Sequence, residues 1–75
     1  MSLEWIAASD RPWAAARARS ALEMISQRDA GLITPDEYQE LAQDLVNMDR
    51  LNEEADDLEL KNMLVAAVML GTKLL

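Results

Sequence analysis

The chain has 75 residues, enough for one small domain spanning 1–75. It contains no Cys and no His, which removes disulfides, Cys/His zinc sites, Ser–His or Cys–His nucleophilic catalysis and Glu-x-x-His di-iron sites. Its net charge of -7 argues against direct nucleic-acid binding, which needs a basic footprint.

Residues 1–10 read as a lead-in segment whose Leu3, Trp5 and Ile6 dock on the rest of the chain. Ser9 and Asp10 are good N-cap residues and Pro12 suits a first helical turn, so a helix is expected from about Arg11 to Asp29. Its Ala-rich start permits close helix approach, and Ala18, Leu22 and Ile25 follow helical spacing toward a core. Arg17, Arg19 and Arg28 are expected to face water or an acidic neighbour.

Between Arg28 and Tyr38 four independent signals define a helical hairpin. Gly31 supplies the left-handed residue that ends a helix. Thr34 and Pro35 are the N-cap and first residue of the next helix. Glu37, three residues after Thr34, completes a capping box, and Ile33 and Tyr38 hold the staple positions.

Beyond the turn, Tyr38, Leu41, Leu45, Met48, Leu51, Ala55 and Leu58 recur at three- and four-residue steps and predict one apolar stripe. No Gly or Pro interrupts residues 36–70, so the pattern is compatible with one long helix or with a break near Asn47–Asp57. Polar crowding at Asn52–Asp57 favours a break there. A last helix is expected over Leu58–Leu70, with Gly71 as its C-cap. The expected fold is therefore all-α: a helical hairpin plus a third helical segment, a small bundle that oligomerisation would complete.

Charge is unevenly placed. Residues 1–35 balance four acids with four Arg, whereas residues 36–59 hold ten acids against Arg50 alone. The hairpin thus folds an Arg-bearing helix onto an acidic one, and charge complementarity across it is expected. Asp36, Glu40 and Asp44 share a face at four-residue spacing, as do Asp49, Glu53 and Asp57, with Asp56 alongside. A solvated face, a surface for a basic partner and a hard-cation site all fit such carboxylates, but no calcium-loop pattern is present. We assign no catalytic, cofactor or metal residues and expect a non-enzymatic protein. Carboxylates imitating a phosphate backbone are a variant of the basic-partner reading.

The apolar run Met63–Leu70 surrounds its helix, and a helix apolar all round is normally buried. A chain this short buries only roughly 60% of its unfolded surface. Part of the run is therefore expected to be covered by another chain. The expected partner interface is Leu60, Met63, Leu64, Ala67, Val68 and Leu70, with Trp5 and Trp13 as further large apolar groups; burial within the protomer alone, with the two Trp as anchors of a small core, and contact with a membrane surface are the alternatives. The run is eight residues long, well short of the roughly 20 needed to span a membrane. The first residues lack a basic stretch followed by an apolar one, so a soluble, cytoplasmic-type protein is expected, in a host cytoplasm or a virion.

The stretch Ile25–Leu45, with Gly31-Leu32-Ile33-Thr34-Pro35-Asp36-Glu37-Tyr38, resembles the helical hairpin of SHOCT-type domains, whose turn reads G-x-I-[ST]-x-[DE]-E-[FY]. It departs from them in lying centrally and in having little Lys. The resemblance implies oligomerisation or tethering, and no site residue. The overall make-up, short, acidic and helical, is similar to small bacteriophage proteins and implies a structural component of a phage particle. The expected function is assembly with itself or within a larger complex. The alternative is an acidic inhibitor or adaptor for a basic host protein.

Overall fold

The computed structural model describes residues 3–73, and the side chains of 3–47 and 50–70. Every regular element among the described residues is helical: α1 (Leu3–Ala7), α2 (Pro12–Asp29), α3 (Pro35–Leu45), α4 (Met48–Glu54) and α5 (Leu58–Lys73). The Cα radius of gyration is 11.7 Å, close to the roughly 11 Å of a compact domain of this length, so the helices form one packed body.

The hub is α2. Ala14, Ala18 and Ala21 are completely buried, and they lie at four- and three-residue steps on one face. A methyl side chain takes little room and loses no rotamer freedom, so three neighbours, α1, α3 and α5, close on this one helix. They bring the bulk: Ile6, Tyr38, Leu64 and Val68, with Leu51 added from α4. Leu22 and Ile25 pack against this core while half-buried. The expected cap of α2 is corrected. Arg11, not Ser9 or Asp10, holds the N-cap position, without a side-chain hydrogen bond. The lead-in segment is itself a helix, and its Leu3 and Ile6, three residues apart, are both buried.

The hairpin forms as its letters require. Gly31 takes φ 77°, and the Leu32 N–H donates to the Gln27 carbonyl at 2.8 Å while that of Gly31 donates to Arg28 at 3.0 Å. These two bonds make a Schellman closure. The capping box is complete: the Glu37 N–H donates to Thr34 Oγ1 at 3.1 Å, and the Thr34 N–H to Glu37 Oε1 at 2.8 Å. Behind the turn, Tyr38 is fully buried and its hydroxyl donates to the Val68 carbonyl at 3.3 Å, tying α3 to α5. The Arg28 guanidinium lies 4.6 Å from the Tyr38 ring centroid. Burial raises the Tyr38 pKa above its ordinary value, and the Arg28 charge works against that rise.

Beyond α3 the chain breaks twice. The expected break at Asn52–Asp57 is present, between α4 and α5. A second, at Val46–Asn47, ends α3. Each new helix starts on a side-chain cap. Asn47 Oδ1 accepts from the Arg50 N–H at 3.4 Å, and Asp57 Oδ1 accepts from the Leu60 N–H at 3.0 Å. The breaks re-aim the expected stripe. Tyr38 and Leu51 point inward, but Leu41 and Leu58 are exposed, and Ala42 and Val46 are buried in their stead. The Met48 side chain lies outside the described residues. Gly71 does not end α5, which continues to Lys73.

Candidate interaction surfaces

The apolar residues of α5 divide in two. Leu60, Leu64 and Val68, at successive four-residue steps, are buried in the core of the protomer itself. Their expected place on a partner interface is corrected, because the alanine face of α2 together with α1 and α3 already covers them. Met63 and Ala67 flank the core half-buried. Leu70 faces outward at 54% exposure, and so does Ala66, which lies one turn before it. From Asn62 to Leu70 this helix carries no charged residue. An uncharged, partly apolar outer face thus backs an apolar inner one. No helix among the described residues is long and apolar enough to cross a membrane.

The two expected tryptophans behave differently. Trp13 is half-buried, and its indole N–H donates to Asp56 Oδ1 at 3.0 Å. Trp5 is 59% exposed on α1. It forms one wall of a groove of about 440 Å³ between α1 and the start of α5, where Asp10, Arg11, Asp57, Glu59 and Met63 also line the space. These residues come from both ends of the sequence, and their spacing gave no signal of the site.

The expected acidic face also divides. Asp36, Glu40 and Asp44 are exposed on α3 and make no ion pair with any described residue. Glu53 is exposed on α4. The Asp49 side chain lies outside the described residues. Asp56 and Asp57 have structural tasks: Asp56 meets Arg11 Nη1 at 3.4 Å as well as Trp13, and Asp57 caps α5. Asp57 lies in the link between helices, so it shares no helix face with Glu53. Among the described residues no three carboxylates come together to hold a metal ion.

The charge complementarity expected across the hairpin is instead directed at α4 and the link after it. Arg17 is largely buried and joins three segments. Its Nε donates to the Leu45 carbonyl at 3.1 Å, its Nη1 to the Trp13 carbonyl at 3.0 Å, and its Nη2 pairs with Glu54. A cation on the last carbonyls of α3 also suits the negative end of that helix. No family model, curated protein or solved structure matches this chain.

Proposed function

We propose that this chain is a non-enzymatic helical interaction protein that pairs with a second copy of itself through the outer face of α5. The observation that carries the reading is the uncharged stretch Asn62–Leu70, with Ala66 and Leu70 turned outward on a helix whose opposite side is already core. Charge placement favours a like partner. A protein of net charge -7 repels its own copies, but its acids crowd into residues 36–59. Along Asn62–Leu70 the helix itself contributes no carboxylate to a contact between two copies. Ala66 lets two such helices approach closely, and Leu70 supplies the bulk to bury. The likeness of the hairpin to SHOCT-type domains, with their tethering role, points the same way. A small repeating subunit of a larger assembly, such as a phage particle, is the setting this describes.

Light scattering coupled to size exclusion tests the reading. The wild-type chain is expected to run as a dimer or larger at micromolar concentration. Leu70→Asp is expected to be a helical monomer, because that residue is exposed and its replacement leaves the core alone. Leu64→Asp is unsuitable as the probe, since Leu64 is fully buried and its loss would unfold the chain. A wild-type monomer throughout the micromolar range would sink the proposal.

A second reading rests on Asp36, Glu40 and Asp44, which face solvent without compensating cations among the described residues. Such a face suits an adaptor or inhibitor that engages a basic protein, including one that otherwise holds nucleic-acid phosphates. Association of that kind weakens with ionic strength. Binding unchanged from low to high salt would remove its premise.

A further inference from the structure

Taking the pairing of two copies through α5 as its premise, we infer that the two α5 helices run antiparallel and cross at Ala66, so that Leu70 of each copy seats in a hole formed by Glu59, Asn62, Met63 and Ala66 of the other. The outward residues of α5 set this register. At about 100° per residue, Glu59, Asn62, Ala66 and Leu70 fall within roughly 40° of one line along the helix. All four are exposed, while Leu60, Leu64 and Val68 are buried on the opposite side. Position 73, a lysine still within α5, continues the line. The line is thus acidic at one end, basic at the other and uncharged between.

Charge chooses the direction. A two-fold pairing brings the same patch of both copies together. In a parallel pairing, position 59 faces position 59 and position 73 faces position 73, so like charges oppose twice and the helix dipoles point the same way. In an antiparallel pairing centred on Ala66, Glu59 stands opposite position 73 of the partner on both sides of the crossing. The starts of α5, which follow the linker acids Asp56 and Asp57, then lie at opposite ends of the contact.

Shape agrees. Residues at i, i+3, i+4 and i+7 of a helix enclose a hole that takes one side chain of a facing helix. Glu59, Asn62, Met63 and Ala66 have that spacing. In the antiparallel register the partner's Leu70 comes level with Asn62. It falls on the Met63 side, because a two-fold axis across the helices keeps like sides together, and positions 63 and 70 are rotated from 66 in the same sense by about 60° and 40°. Trp5, 59% exposed, lines the groove beside Met63 and extends the wall of that hole. Ala66 lies on the axis and meets its own copy, where a methyl group permits close approach. One contact thus accounts for two of the exposed large apolar side chains, Leu70 and Trp5.

The chain has no Cys, so single introduced cysteines report contacts cleanly. Under mild oxidation Ala66→Cys should form a disulfide dimer whichever way the helices run. Its failure to do so would remove the pairing through α5 itself, and this inference with it. Direction is read from an equimolar mixture of ¹⁵N-labelled Asn62→Cys and unlabelled Leu70→Cys, oxidised and weighed by mass spectrometry. Antiparallel helices bring position 62 beside position 70 of the partner and hold the two copies of position 62 about 12 Å apart along the axis. Mixed dimers should therefore well exceed the half expected of random pairing. A mixed share at or below that half would overturn the antiparallel arrangement and leave the pairing through α5 standing. Charge reversal gives a second measurement. Glu59→Lys should weaken the dimer roughly fivefold, as expected for two exposed ion pairs. Glu59→Lys combined with Lys73→Glu should restore it, with the circular dichroism helical in both variants. Association indifferent to Glu59→Lys, or not restored by the double change, would overturn the register.

Discussion

The two turns that bracket α3 are built on different principles. The turn at Ala30–Thr34 is closed by groups three to five positions apart: Leu32 to Gln27, Gly31 to Arg28, and Thr34 with Glu37 in both directions. The crossing from Val46 to Asp57 has local caps too, but its fastening comes from far away in the chain. Arg17 reaches Leu45 and Glu54, while Trp13 and Arg11 reach Asp56. The first turn needs only its own residues to be favourable. The second has its fastening only once α2 lies alongside it. Local turns tolerate changes elsewhere in the core, whereas α4 should answer to every residue that anchors it.

The largest expected effect tests that anchoring. Leu51 is fully buried and, among the described side chains of α4, is the one that enters the core. Leu51→Ala should cost about 2–5 kcal/mol, the range for emptying a buried leucine site. A domain of this size has a total stability on the order of 5 kcal/mol, so the variant should be largely unfolded in mild urea. A loss smaller than that of a surface substitution would show that α4 is held by its polar contacts alone.

A smaller effect separates the two turns directly. Arg17→Met keeps the apolar stem and removes the hydrogen bonds to Leu45, Trp13 and Glu54. The expected cost is about 1–3 kcal/mol, because the change leaves partly buried acceptors without their donor. Its location matters more than its size. In native-state hydrogen exchange the amides of Leu51 and Ala55 should lose protection, while those of Leu32 and Glu37 should keep theirs. Uniform loss of protection would mean that the two regions open as one.

The same contrast explains what could be read from the letters alone. The hairpin was legible because Gly31, Thr34, Pro35 and Glu37 act on backbone within five residues of themselves. The all-helical class was legible for a similar reason, since composition sums local preferences. Asn47 carries a sign of the second break, an N-cap residue three before Arg50 at the edge of the Asn47–Asp57 range, but no Gly or Pro stands beside it. Nothing local marks Arg17 as a clamp, because the partners it holds outside its own helix lie 28 and 37 positions away. Asp56 looked like part of a solvated acidic face for the same reason, its partners being 45 and 43 positions distant. The letters put Leu64 on a partner interface because so short a chain is expected to cover only part of an all-apolar helix. The five residues of α1, too short to show a helical period, supply part of the missing cover.

The smallest expected effect concerns the hairpin itself. Thr34→Ala removes the Oγ1 that accepts the Glu37 N–H at 3.1 Å. It leaves three other devices in place: the Thr34 backbone N–H that donates to Glu37 Oε1, the preset φ of Pro35, and the Schellman closure at Gly31. Loss of one N-cap oxygen costs about 1 kcal/mol, which in a domain of this length lowers the melting temperature by roughly 4–8 °C. The change should be seen as faster exchange at Glu37 and nowhere between Val46 and Asp57. That outcome would place the hairpin as a unit whose stability is set within its own residues. Should the cost instead greatly exceed about 2 kcal/mol and spread to the amides of Leu51 and Ala55, the start of α3 would be setting the position of its end. The Arg17 clamp on the Leu45 carbonyl would then be the link between the two turns, and their independence would fail at that residue.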